Sequence, residues 1–286
     1  ACPHCSAKLT VHKKSRQLRC HHCDYQESLP THCPHCDSTR LDAIGIGTQR
    51  SEQFLLEQFA EYPVLRIDRD SMSRKQALHD MLENIQRGKP CLLIGTQMLA
   101  KGHHFPHVTL VVILDIDSGL FSSDFRGPEK MGQLLEQVAG RAGRAEKPGK
   151  VLIQSRFTEH PLLQTLLRDG YQRLARVLLA ERQTSALPPY SYLALLRAEH
   201  ADPYRAQTLL REWSNTLQNL CEPGVQVAGP WPAAMEKRAS FYRFDIQVKS
   251  LNRTALQKTL ARFCEFAEQQ KLPAGLRWSL DVDPAA

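Results

Sequence analysis

Six of the nine cysteines fall within the first 36 residues as three C-x-x-C pairs: Cys2 with Cys5, Cys20 with Cys23, and Cys33 with Cys36. Nothing else in the sequence restricts the fold so tightly. Two thiolates separated by two residues grip one tetrahedral ion from a tight turn, so "CPHC" and "CHHC" together have the form of one complete four-cysteine zinc site. Four thiolates leave no open position for substrate, so the ion's role is structural. The competing reading is a disulfide scaffold. Cys91, Cys221 and Cys264 stand alone and no secretory signal is visible, which suits a reducing compartment instead. The third pair is half a site. Its partner pair is expected upstream of Ala1, so that two zinc sites interleave in a longer protein of which this chain is the C-terminal part. Completion by His4, His21, His22, His32 or His35 is the alternative.

Below the knuckles the pattern changes to alternating strands and helices. With 286 residues, of which 42% are hydrophobic, the chain can bury sizeable cores in about two or three domains. No window approaches the roughly 18 apolar residues of a membrane span, and the chain reads as soluble and intracellular. A net charge of +7 fits a polyanionic partner such as nucleic acid. Strands are expected at 43–47, 64–68, 90–96, 109–117 and 150–155, and helices at 51–59, 74–88 and 131–144. This order predicts a parallel α/β sheet with helices on both faces over 42–157, its ligands at the carboxyl ends of the strands. A helical connector over 158–187 ends at Pro188 and Pro189. The segment 188–286 then reads strand, helix, strand, strand, helix, strand, the order of a small ferredoxin-like α+β sandwich, with Asp202 capping its first helix ahead of Pro203.

The loop "LLIGTQMLAKGHHFPHVTLV" followed by "QVAGRAGR" resembles motifs V and VI of superfamily 2 helicases, in the branch that holds the PriA (primosomal protein N′) and RecG families. The cysteine knuckles favour the PriA family, since a zinc module inserted in the second helicase lobe is a feature of that family. The resemblance implies a RecA-like second lobe. In such motors ATP sits between two lobes, one holding the phosphates and Mg²⁺ and the other supplying arginines for charge developing on the γ-phosphate. It places Arg144 as arginine finger, Arg141 as phosphate contact and Gln137 as polar orienter, with Gly140 allowing close approach of nucleotide or backbone. A solvated basic helix end is the bland alternative. Thr96, Gln97, Lys101 and Gly102 are implied as DNA-phosphate contacts that relay nucleotide state. His103 and His104 read as loop or packing residues, and Asp115 and Asp117 as hydrogen-bonding residues. No phosphate-cradling G-x-x-x-x-G-K-[ST] and no D-E-x-H box is found, so this chain alone is not expected to hydrolyse ATP.

In the last third, Lys237, Arg238 and Arg243 interleave with Phe241, Tyr242 and Phe244. Cations for phosphates and aromatic faces for bases are what single strands and fork junctions favour, so Lys237, Arg238, Tyr242 and Arg243 are DNA-contact candidates. An alternating strand with one buried aromatic face is the other reading. The resemblance further implies a C-terminal domain similar to the tenth protein of the small ribosomal subunit, binding branched DNA beside a site for the tail of single-stranded DNA-binding protein. It implies a 3′-to-5′ helicase of the bacterial cytoplasm and nucleoid that recognises stalled forks and works with other primosome proteins. A non-catalytic zinc adaptor and a RecG-like branch migrator are the alternatives. The intact Q-x-x-G-R-x-G-R pattern speaks against the first, the knuckles against the second.

Overall fold

The computed structural model describes residues 1–12, 15–33, 36–41, 48–67, 85, 88–95, 107–140 and 149–284. The backbone forms two compact units, Ala1–Ala43 with Leu179–Ala286, and Ile44–Leu178. The cysteine-rich segment thus shares a unit with the C-terminal third, although the two lie at opposite ends of the sequence.

Three short strands, β1 (Thr10–His12), β2 (Gln17–Arg19) and β3 (Gln26–Ser28), form an antiparallel sheet in that order. Thr10 faces Arg19 and Gln17 faces Ser28. This register folds the spacer between the first two cysteine pairs back on itself. It leaves Cys20 and Cys23 in the β2–β3 connection and Cys2 and Cys5 ahead of β1.

The second unit begins with α1 (Thr48–Gln58), followed by β4 (Val64–Ile67) and β5 (Leu92–Gly95), which pair in parallel. A second parallel pair joins β6 (Leu110–Ile113) to β7 (Lys150–Ile153). Parallel neighbours need a long crossover, which is why helix-period sequence separates them. The strand expected at 109–117 stops at Ile113. The Asp115 carboxylate accepts the Ser118 N–H at 3.2 Å, and the chain turns into a short helix α2 (Asp117–Leu120). Helix α3 (Gly127–Ala139) starts before the expected 131, with Pro128 in its first turn where a missing N–H costs nothing. The strand expected at 43–47, and all of the helix expected at 74–88 except Ile85 and Gly88, lie outside the described residues.

Helix α4 (Pro161–Thr184) is two helical segments hinged at Gly170, whose φ of 77° and ψ of 178° no helix accommodates. Leu163 and Leu166 before the hinge and Leu174 and Leu178 after it join Ile116, Leu120, Met131 and Leu135 in one core. A Cβ at Gly132 would stand 2.6 Å from the Leu174 side chain, so α3 and α4 touch as closely as glycine allows.

The C-terminal third folds as β8 (Tyr192–His200), α5 (Pro203–Leu220), β9 (Val225–Arg238), β10 (Phe241–Ser250), α6 (Arg253–Glu268) and β11 (Arg277–Val282). The antiparallel sheet runs β11-β8-β10-β9, the order a β-α-β-β-α-β sandwich produces. Alternate residues Ala194, Leu196 and Ala198 of β8 and Phe244, Ile246 and Val248 of β10 meet Leu210, Trp213 and Phe263 of the helices. Both helix starts are capped, by Asp202 accepting from the Tyr204 N–H at 3.0 Å and by Asn252 accepting from Thr254 and Ala255.

Candidate zinc knuckles, motor residues and nucleic-acid face

The sulfur atoms of Cys2, Cys5, Cys20 and Cys23 all lie within 4.8 Å of one another, with Cys2 and Cys23 3.6 Å apart. A tetrahedron with metal–sulfur bonds of about 2.3 Å has sulfur edges of about 3.8 Å, so the four can hold one zinc ion in a closed shell. Each pair sits on a knuckle turn. The Cys20 N–H donates to the Tyr25 carbonyl at 2.9 Å and the Asp24 N–H returns to the Cys20 carbonyl at 3.0 Å. Cys33 repeats both bonds with Ser38 and Asp37, each at 2.9 Å. The turns place Asp24 (φ 58°) and Asp37 (φ 53°) in the left-handed region, where aspartate is among the few tolerated side chains. Burial pushes the Cys20 thiol up, but the N–H groups of His22 and Cys23 and the neighbouring thiols outweigh it and bring the group down to about 7. Such a thiol gives up its proton readily, as a metal ligand must. Among the described residues, Cys33 and Cys36 join no group of three or more metal-ligating side chains.

Of the expected motor residues, Gln137 is exposed on the last turn of α3, and Gly140 caps that helix with its N–H on the Glu136 carbonyl at 2.9 Å. Arg141 and Arg144 lie outside the described residues, as do Thr96, Gln97, Lys101 and Gly102 and the histidine pair at 103 and 104. The helix that leads into the arginines is anchored from below by Met131 and Leu135. Beside it, Asp117 ties two strand ends together. Its carboxylate accepts from the Ser155 hydroxyl at 2.6 Å and from the Arg156 N–H at 2.9 Å, and these two bonds hold it below the usual carboxylate range.

In the sandwich the cation and aromatic residues separate by role. Phe244 is buried and Tyr242 packs against the same core, as the alternating reading of β10 requires. Lys237 lies 4.9 Å above the Tyr242 ring and donates from Nζ to the Pro3 carbonyl at 2.8 Å. Arg243 is mostly covered and stands 3.8 Å from Glu199. Burial, then the charge of Arg197, lowers its pKa from the ordinary value. Arg238 is exposed. His200, nearly buried, accepts the Asp202 N–H on Nδ1 at 2.8 Å, leaving Nε2 to donate to the Ala274 carbonyl at 3.1 Å.

Two features escape a reading of the sequence. Arg197 forms a bidentate pair with Asp245 across β8 and β10, at 2.7 and 2.8 Å. The β9–β10 turn also meets the first knuckle through Ser6, Pro3, His4 and Cys5. The one local signal for the second is a two-residue hairpin turn, Ala-Ser, that lacks the expected asparagine or glycine.

The parallel strand pairs, the four-cysteine knuckle and the sandwich define a chain with an α/β lobe, a zinc-binding segment and an α+β domain. Residues 2–27 match the PriA DNA helicase Cys-rich region, 38–146 the helicase conserved C-terminal domain, and 183–285 the primosomal protein N C-terminal domain. Over 99% of its length the chain is 46% identical to replication restart protein PriA of Haemophilus influenzae, 36% to that of Bacillus subtilis and 34% to that of Synechocystis. It covers 38%, 35% and 34% of those proteins, so it spans little more than a third of their length. The chain belongs to the PriA family, to whose C-terminal part it corresponds. Among the described residues no helix is long and apolar enough to cross a membrane.

Proposed function

We propose that this chain is the C-terminal portion of an ATP-dependent 3′-to-5′ DNA helicase that recognises stalled or branched forks and restarts replication by primosome assembly. The observation that carries this reading is the 46% identity over 99% of the chain to a replication restart protein, with three family models in order along it. The intact protein acts in the cytoplasm, at the nucleoid. Its partners are branched and single-stranded DNA, the tail of single-stranded DNA-binding protein and other primosome proteins.

In this reading ATP and Mg²⁺ are held by a first lobe outside this sequence. Arg144 reaches the γ-phosphate as charge builds in the transition state, Arg141 holds a phosphate oxygen, and Gln137 orients the attacking water. Thr96, Gln97, Lys101 and Gly102 hold DNA phosphates after β5, and Arg238 adds an exposed cation from the sandwich. Cys2, Cys5, Cys20 and Cys23 bind one structural zinc. Cys33 and Cys36 provide half of a second site, completed by ligands in the rest of the intact protein.

The test is fork-stimulated ATP hydrolysis by the intact protein, wild type against Arg144→Ala. A finger acts mainly on the transition state, so turnover should fall by about a thousandfold or more while DNA binding is unchanged. The 286-residue chain alone should show none. Absence of turnover in the wild-type intact protein would instead support the non-catalytic adaptor, and turnover indifferent to Arg144 would make the stretch a basic helix end. The four-cysteine cluster and the Cys-rich-region match argue against a RecG-like branch migrator.

A further inference from the structure

The first knuckle differs from the other two at the residue that follows its second cysteine. In the knuckles at Cys20 and Cys33 the fourth residue after the first cysteine turns its N–H onto that cysteine's carbonyl, Asp24 at 3.0 Å and Asp37 at 2.9 Å. The equivalent residue of the first knuckle is Ser6. Its N–H goes instead to the carbonyl of Lys237, at 2.8 Å. Lys237 answers with its own N–H on the Ser6 hydroxyl at 2.9 Å, across 231 residues of sequence.

The hairpin tip is shaped for this contact. Between Arg238 and Phe241 the turn has only Ala239 and Ser240, with φ of 49° and 69°. Left-handed conformations at two successive residues are the province of Asn-Gly, and alanine and serine hold them at a cost. Strain of this kind persists where the surroundings over-determine it. Here both strained N–H groups point at the knuckle: Ala239 donates to the Cys5 sulfur at 3.2 Å and Ser240 to the His4 carbonyl at 2.7 Å. An N–H aimed at sulfur fixes the ligand's orientation, as outer-shell partners of metal ligands do.

We propose that the Arg238–Phe241 turn of the C-terminal sandwich is an outer shell of the zinc knuckle, so that metal binding at the four cysteines and docking of the hairpin stabilise each other. This rests on the reading of Cys2, Cys5, Cys20 and Cys23 as zinc ligands. Coupling of this sort is reciprocal: whatever the ion gains from the docked hairpin, the hairpin gains from the ion. Zinc then does more than fold a short segment. It latches the N-terminal knuckle to a domain encoded at the far end of the chain, and it holds Lys237 and Arg238 in place.

The test uses the full chain, with zinc exchanged for cadmium-113 and uniform nitrogen-15 labelling. A cadmium resonance typical of four sulfur ligands, showing scalar coupling to the Ala239 amide proton, is the expected result. Zinc transfer to a chelator should be faster by about tenfold or more in the double variant Ser6→Ala, Lys237→Met, and unchanged in Lys249→Met on the same sheet. Stripping the metal should speed hydrogen exchange at Ala239 and Ser240 while Leu210 and Phe263 stay protected. A four-sulfur cadmium signal without coupling at Ala239, or equal zinc release in the double variant, overturns the proposal and leaves the zinc site standing. Failure to retain any ion overturns both.

Discussion

The C-terminal sandwich and the motor lobe solve the problem of covering a sheet differently. In the sandwich, Leu196, Leu210 and Phe263 are each 0% exposed, and Trp213 packs edge-on to Phe263 at 5.3 Å and to Trp278 at 5.4 Å. In the lobe, Leu110 and Val112 of β6 are 51% and 49% exposed, and Leu152 of β7 beside them is 43% exposed. Parallel strands ordinarily have both faces covered, and apolar area left in water returns none of its burial free energy. The sandwich is therefore a self-sufficient scaffold. The lobe, by contrast, leaves apolar side chains of its described strands β6 and β7 in water.

The largest effect should separate the two units cleanly. Phe263→Ala removes a wholly buried ring and should cost about 3–5 kcal/mol, whereas Leu110→Ala at an exposed strand position should stay within about 0.5 kcal/mol. All three tryptophans, Trp213, Trp231 and Trp278, lie in the sandwich, so fluorescence during urea unfolding reports on that domain alone. Circular dichroism follows the whole chain. A Leu110→Ala cost comparable to that of Phe263→Ala would break the contrast.

A smaller effect is expected at the one strong ion pair of the sandwich sheet. Asp245 has a 7% exposed side chain and Arg197 a 27% exposed one, and their two bonds are charge-assisted. The Asp245→Asn change leaves the guanidinium with a weaker partner. Partial solvent access discounts the loss, so about 1–2 kcal/mol is expected. Adding Arg197→Met to Asp245→Asn should recover part of it, because an unpaired covered charge is worse than none. A double-mutant cycle in the same urea assay measures this, and no recovery would mean that the pair is solvated.

How much of this was legible in sequence depends on the range of the interaction. The four cysteines of the first site were readable because two-residue spacing dictates a local turn, and Asp202 ahead of Pro203 announced a helix start for the same reason. The β-α-β-β-α-β order followed from periodicity alone. The hinge at Gly170 was not readable, because one glycine inside an amphipathic run is as compatible with a continuous helix as with a break. Lys237 and Tyr242 looked like a nucleic-acid grip, since cations alternating with aromatics serve that purpose and also serve packing. Only the fold shows Lys237 donating to Pro3, 234 residues away. A contact of that range leaves no local pattern to read.

The smallest effect concerns the lobe, and pH sets its sign. Asp117 takes bonds from the Ser155 hydroxyl and the Arg156 N–H, which hold its carboxyl below the ordinary value. In the unfolded chain that group titrates near its reference value of about 3.9, so folding favours the charged form. The stabilisation is fully present above that pH and is lost as pH falls through the lower, folded value. Compared with Asp117→Asn, the wild-type lobe should keep a constant advantage from neutrality down to about pH 5. That advantage should shrink below about pH 4. Ser155→Ala should reduce the plateau while leaving the Arg156 bond to hold part of it. Urea midpoints followed by circular dichroism across that pH range decide the matter. An advantage independent of pH would mean that Asp117 ties β7 to α2 through shape rather than charge, and the lobe would then resemble the sandwich in how it is held.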